Sequence, residues 1–436
     1  MRATIFRRLF ADIATHPFLT LLTVVLIPVA LQHFIVLCLS TNYPIICEKD
    51  YIQDYAMIAA LREGADPYAP IPVLVERFVP QCKHVPLNMH PSPHPISMAA
   101  LTSPLAGIIS YRASYALWGL IEGCALLFAI FFLARIPAQK PSVADVLLGF
   151  MVTVSAFTTY DDIFLGQVNF VLLALFAAGI SKLKKHEVQA GLLFGAAIAI
   201  KFFGWPLALV LILKRRWKTS VALAGGFAIV QALSVAIAGL DTTTRYYREV
   251  VPEMSNFYAA CGLNQSLRTL PQHLFVGYSE HCYNWPDDGA LAVPFFDSPA
   301  LMHATALALP LLISLCALFL AWRTRSLEDS LVSILCFSVI ASPVVWGHAG
   351  VLTYIVIASL FLHWRRLVRS PLAISLLVLW AAGVFVIPTF VPGSPNRDLL
   401  AALHNTSVSL AALSAASLAL WLAHLHGAHT QQFPQK

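Results

Sequence analysis

The sequence predicts an all-α polytopic membrane protein, and three observations carry that prediction. Of 436 residues, 58% are hydrophobic and only 11% are charged, whereas a soluble domain carries roughly 25%. The apolar residues gather in long runs, near 18–39, 114–134, 143–160, 163–181, 189–213, 219–239, 301–321, 328–345, 349–363, 372–391 and 403–425. Most of these runs match the length that crosses a hydrocarbon core. Basic residues fall between the runs, so the formal net charge of +6 reads as the loop bias of the positive-inside rule. No nucleic-acid partner is expected.

The first run follows Arg2, Arg7 and Arg8 and has no small-residue cleavage site, which marks an uncleaved span. With the N-terminus in the cytoplasm, the clusters Arg2/Arg7/Arg8, Arg135/Lys140 and Lys182/Lys184/Lys185 fall inside. The run 189–213 is flanked on both sides by basic clusters, the second being Lys214/Arg215/Arg216/Lys218. One continuous span would export one of them. A broken hairpin over 189–213, with its apex near Lys201-Phe-Phe-Gly-Trp-Pro206, keeps both inside, and Gly204 and Pro206 supply the break. Arg323/Arg325, Arg365/Arg366/Arg369 and the Lys436 tail then also fall inside.

This gives about twelve transmembrane helices in a single membrane domain over 1–436, with both termini cytoplasmic. The outer face collects a first large loop at 40–113, a short turn at Tyr160-Asp161-Asp162, the Lys201 apex, a second large loop at 240–300, Trp346-Gly-His348 and 392–402. Within the first loop, 51–63 and 96–110 read as interfacial helices and 64–95 as a Pro- and His-rich connection. No internal repeat is evident, which disfavours transporters built from repeated halves.

Cys38, Cys124, Cys316 and Cys336 lie in apolar runs, where a thiol behaves as a small hydrophobe. Cys47 and Cys82 share the first large loop; Cys261 and Cys282 share the second. In an oxidising compartment the simplest pairing is one disulfide per loop, and four unpaired thiols are the alternative.

Acidic residues are few, so Asp50, just beyond the first run, is informative: a carboxylate held at a membrane surface is placed to act as a base. Asp54 follows one helical turn later and is the second candidate. Lys201 interrupts an apolar hairpin. It is either a snorkelling residue or a point charge for an anionic lipid phosphate. Gln167 and Asn169 in Gly166-Gln-Val-Asn169 offer amides for helix capping, interhelical hydrogen bonds or substrate. Asp161 and Asp162 could hold a cation, but two adjacent carboxylates are a weak metal signal and no metal is assigned. Asn264, Gln265 and Arg268 open the descent from the second loop. Ser342-Pro-Val-Val-Trp346-Gly-His348 turns the chain, and His348 suits a phosphate or a sugar hydroxyl. His90-Pro-Ser-Pro-His94 reads as loop, because interleaved prolines extend the chain and no third ligand is evident.

Taken in order, five segments resemble glycosyltransferase family 87, the polyprenol-phosphate-mannose-dependent mannosyltransferases of the GT-C superfamily. They are Asp50 followed by Gly64 and Asp66-Pro-Tyr68; Gly166-Gln-Val-Asn169; Ala190-Gly-Leu-Leu-Phe-Gly-Ala-Ala-Ile-Ala-Ile-Lys201; Asn264-Gln-Ser-Leu267; and Ser342-Pro-Val-Val-Trp346-Gly-His348. The resemblance implies a GT-C-type fold, a polyprenyl-phosphate-linked sugar donor (mannose foremost), a lipid or glycan acceptor, and Asp50 as base. The family's turn reads Ser-Pro-x-Ser-Trp-Asp-His-His. Val345, Gly347 and Ala349 depart from it here and leave His348 as its histidine.

The expected reaction is an inverting single displacement on the periplasmic face of the inner membrane. Asp50 is the base, Lys201 and His348 hold the donor phosphate, and Asp54, Tyr68, Gln167, Asn169, Asn264, Gln265, Arg268 and Trp346 contact substrate. No cofactor is required. The alternative is a flippase or transporter of lipid-linked sugars. A haem protein is disfavoured because His33, His363 and His404 lack axial spacing.

Overall fold

The computed structural model describes residues 17–85, 87, 89–136, 141–261, 264–276, 297–367, 369–385 and 409–425, and these form helices joined by short connections without a β-strand. The N-terminal basic cluster, Lys140, Cys282, the 392–402 loop, His404 and the C-terminal tail lie outside the described residues.

Helix α1 (Pro17–Leu39) is mostly apolar, with Gln32 and His33 its most polar residues, and leads through a 3-10 turn at Ile45–Glu48 into α2 (Tyr51–Arg62). The sequence predicts α2 as an interfacial helix. In the structure it is a core element: Tyr51, Ile52 and every residue from Asp54 to Ala60 are buried. The reason is its run of small and aromatic side chains, which packs on α3 (Ile71–Phe78), α4 (Ile96–Thr102) and α5 (Tyr111–Leu133). Helix α3 lies inside the stretch read as loop, and α4 stops well short of residue 110. Pro104 follows Ser103 and disfavours further α-helix. A disulfide joins Cys47 to Cys82 and ties the start of α2 to the end of the α3 region. Cys261 is also disulfide-bonded, and its expected partner, Cys282, lies outside the described residues.

Helices α6 (Val143–Ser155) and α7 (Phe157–Leu165) meet at a 59° bend. The sequence suggests a turn at Tyr160-Asp161-Asp162, yet those residues lie within α7. The chain reverses later, at Gly166, whose φ of 72° suits glycine. There the Gln167 N–H reaches back to the Asp162 carbonyl at 3.0 Å, closing the helix end before α8 (Asn169–Lys182).

The 189–213 stretch forms two helices, α9 (Glu187–Ile200) and α10 (Pro206–Leu213). Their direction follows from α11 (Trp217–Arg245). Gly191 lies against Thr219 and Ala222, Gly195 against Leu223 and Phe227, and Ala199 accepts from Gln231. Contacts that advance together make α9 and α11 parallel, so α10 returns the chain to its starting level. The Arg216–Glu187 ion pair at 3.2 Å closes that level. Absent side chains at Gly191 and Gly195 let the two backbones approach closely, the small-residue device of membrane helix pairs. Helix α11 is interrupted at Gly239 (φ 81°) and continues through a π-helical turn at Tyr246–Val250 into α12 (Val251–Phe257).

Short helices α13 (Leu270–Phe275) and α14 (Pro299–Thr305) precede α15 (Ala308–Arg323) and α16 (Leu327–Ile340). Helix α16 is buried on all sides from Asp329 onward. A 3-10 segment at Gly347–Ile355, α17 (Val356–Leu367), α18 (Pro371–Phe385) and α19 (Ser409–Leu425) complete the bundle. Lys184 pairs with Glu328 at 2.9 Å, and the Lys214 ammonium donates to the Trp322 carbonyl at 3.2 Å. Basic clusters from three connections therefore meet at one end of the bundle.

Among the described residues four segments are long and apolar enough to cross a membrane: Leu21–Leu39, Tyr111–Leu133, Trp217–Phe257 and Pro299–Arg323. The bent α6–α7 pair makes a fifth. Other apolar helices, α8, α9 and α18 among them, are shorter than a full crossing.

Candidate functional site

At the end opposite the basic clusters, three elements converge on Asp50. This residue begins α2 in helical geometry, but its carboxylate caps no backbone N–H. It is left free, and Oδ2 accepts from Gln167 Nε2 at 2.8 Å. The same amide accepts, through Oε1, from Lys201 Nζ at 2.8 Å. Gln167 thus bridges a carboxylate and an ammonium, and those neighbours fix which way its amide points. Its backbone carbonyl is pinned by the Trp118 indole N–H at 3.1 Å.

Each position has a local cause. Gly166 turns the chain so that Gln167 faces α2; a Cβ there would lie 2.7 Å from Tyr51 Cβ. Lys201 ends α9 in extended backbone, where the negative end of the helix dipole favours a cation. The ammonium keeps two further protons after serving Gln167. Burial pushes the Asp50 carboxyl above the usual carboxylate range. The charges of His94 and Lys201 and the Gln167 hydrogen bond pull it back, while Asp54 pushes it up.

The buried Asp54 accepts from Thr102 Oγ1 at 2.9 Å and binds His94 Nδ1 at 2.7 Å. Sequence reasoning read His90-Pro-Ser-Pro-His94 as loop, because interleaved prolines extend the chain and no third ligand is evident; it did not connect His94 with Asp54, forty residues earlier. Tyr68 is buried, stacks on Tyr246 with centroids 5.8 Å apart and donates to the His94 carbonyl at 3.3 Å. His90 Nδ1 faces the Pro91 carbonyl at 2.7 Å, so Nδ1 carries the proton and Nε2 accepts from Tyr258 at 2.8 Å. The Tyr258 ring meets Trp346 edge-on at 5.0 Å.

His348 is buried, with Nδ1 4.0 Å from Asp161 Oδ2, too far for a hydrogen bond, and burial pushes its imidazole well below the usual histidine range. Asn169 donates to Asp162 Oδ1 at 2.6 Å. Asn264 serves backbone: its amide donates to the Tyr258 and Pro343 carbonyls, both at 3.0 Å, and accepts from Val345 N–H at 2.9 Å. Gln265 N–H donates to the Val345 carbonyl at 2.9 Å, and the Gln265 carbonyl accepts from Ser409. The Asn-Gln-Ser segment therefore fastens the turn that carries Trp346 and His348. Arg268 points outward to the Ser255 carbonyl and Asn256, away from Asp50. Among the described residues no group of three His, Cys, Asp or Glu side chains is placed to hold a metal ion.

Lys49 escaped sequence reasoning. It is fully buried beside Asp50, its Nζ 2.8 Å from the centroid of the Phe164 ring and without a hydrogen-bond partner.

The helical bundle thus carries an acid–amide–amine chain at the end opposite its basic clusters. The chain belongs to glycosyltransferase family 87, whose family model matches residues 93–343, more than half of its length. It is a membrane glycosyltransferase. The match includes Gln167, Asn169, Lys201 and Asn264 to Arg268; Asp50 and His348 lie beyond its two ends. Comparison with curated proteins and with solved structures found no match.

Proposed function

We propose that this glycosyltransferase moves a sugar, mannose foremost, from a polyprenyl phosphate to a hydroxyl of a lipid or glycan acceptor, inverting the anomeric carbon. Asp50 is the base. The observation that carries this reading is the Lys201–Gln167–Asp50 chain, which holds a carboxyl group and an amine one amide apart.

In the displacement the acceptor oxygen forms a bond to the anomeric carbon as the bond to the phosphate oxygen breaks. The acceptor proton passes to Asp50. A carboxylate suffices because the proton leaves as the sugar carbon becomes cationic, when the attacking oxygen turns acidic. The phosphate departs with both electrons of the broken bond, and the free protons of Lys201 offset its charge in a water-poor setting. His348, on a turn fastened by Asn264, is the second group assigned to the phosphate. The active site faces the periplasm, opposite the basic end.

Asp50→Asn preserves size and can still contact Gln167 but cannot take a proton. Transfer from radiolabelled polyprenyl-phosphate-mannose to acceptors in membranes should fall by 10²–10⁴-fold, with donor binding near wild type. Retention of more than about a tenth of turnover would remove Asp50 from the role of base.

A further inference from the structure

Asp54 and His94 form a buried pair that the proposed chemistry does not use. The imidazole is clamped: Nδ1 lies on Asp54 Oδ1 at 2.7 Å, its backbone carbonyl accepts from Tyr68, and its N–H donates to Ser92 Oγ at 3.3 Å. Thr102 occupies the other Asp54 oxygen at 2.9 Å. The Asp54 contact points Nδ1 at the carboxylate and leaves Nε2 on the far side of the ring. Nε2 has no hydrogen bond among the described residues and is not sealed from solvent.

Asp50 and Asp54 lie four residues apart on one face of α2, where side chains are about 5–6 Å apart at Cβ. Two carboxylates at that spacing oppose each other's ionisation. We propose that His94 is a positioning residue for Asp50: held by Asp54, its imidazolium neutralises that carboxylate and keeps the neighbouring Asp50 ionised and ready to accept a proton.

The inference rests on Asp50 being the base. The fields around Asp50 agree with it. His94 is the strongest cation acting on that carboxylate, ahead of Lys201, and Asp54 acts against it. Asp161 and the Tyr111 and Tyr258 phenols also face Asp50; Tyr51, Tyr68 and Lys201 face Asp54, and His348 senses both His94 and Lys201. Lys49 is adjacent in sequence and acts on Asp161. None of these is bonded to Asp54 among the described residues; Lys201 also feels the Asp54 charge, but His94 is the cation in contact with it.

The test is the titration of Asp50 itself, read as the infrared carboxyl band that wild-type protein shows and Asp50→Asn lacks. His94→Gln should move the Asp50 midpoint up by about one pH unit, a charge at this spacing being worth that much at an effective dielectric between protein and water. The double variant Asp54→Asn/His94→Gln removes both charges and should bring the midpoint back toward wild type. A purely structural pair predicts the reverse, a double variant at least as displaced as the single one. If His94→Gln does not fold, Asp54→Asn alone serves, with the midpoint expected to fall. An unmoved midpoint, or no return in the double variant, overturns the inference. The readout needs no substrate, so it stands apart from the activity assay: full activity in Asp50→Asn would sink the base assignment alone.

Discussion

At the scale of single residues, the site is governed by where charges go when water is scarce. Asp50, Gln167 and Lys201 were visible in the sequence because ionisable or amide groups beside apolar runs demand partners. Their connection through one amide was not visible, since it depends on a turn at Gly166 and a helix end at Ile200 arriving together. Lys49 gave no signal, because a lysine beside a carboxylate in a loop reads as solvated. Its burial over Phe164 has a pH consequence. Burial pulls the amine down to about 7, against the opposing fields of Glu48 and Asp161, whereas the unfolded lysine titrates near 10.4. Between those values the unfolded chain binds more protons, so stability rises with pH; the full penalty is present below about 7 and gone above the unfolded value. Lys49→Met should melt higher than wild type at pH 6 in detergent, with a flatter dependence of melting temperature between pH 7 and 10. An identical slope in the variant would show that Lys49 is not the group responsible.

At the scale of elements, apolar runs located most helices, but connection geometry reassigned several of them. The Tyr160-Asp161-Asp162 segment looked like a turn because it falls between the apolar runs 143–160 and 163–181. Here α7 absorbs it, with Asp162 bonded to Asn169 at the start of α8. Helix α2 looked amphipathic and interfacial, yet the disulfide at Cys47 and the packing of α3 and α4 roof it over. The reversal that makes the site is at Gly166. Alanine there would take on a left-handed backbone and drive its Cβ to 2.7 Å from Tyr51 Cβ. Gly166→Ala should cost about 3 kcal/mol and displace Gln167 from Asp50. Thermal melts and transfer rates on the same preparation check this: a stable, fully active variant would mean that the turn does not position the amide.

At the scale of the whole molecule, charge sorts the bundle into two ends. Lys184 with Glu328, Lys214 with the Trp322 carbonyl and Arg216 with Glu187 gather at one; Asp50, Gln167, Lys201, Asp161 and His348 gather at the other. Only a doubled-back 189–213 segment satisfies both sets, because the parallel α9 and α11 must be joined by a return through α10. Charge parity in the sequence pointed to the same reversal from loop chemistry alone. A membrane-impermeant maleimide can test sidedness on intact spheroplasts, after Cys38, Cys124 and Cys316, the exposed free thiols, are replaced by serine. Phe202→Cys, at an exposed apex position, should label at once. Lys185→Cys and Lys218→Cys, at the two basic flanks, should label only after permeabilisation. Labelling of all three from one side would mean that the segment does not carry the chain from the basic end to the site and back. Labelling of the flanks alone would invert the bundle in the membrane and put the Asp50 site in the cytoplasm, because the positive-inside bias is the only force assigning its orientation.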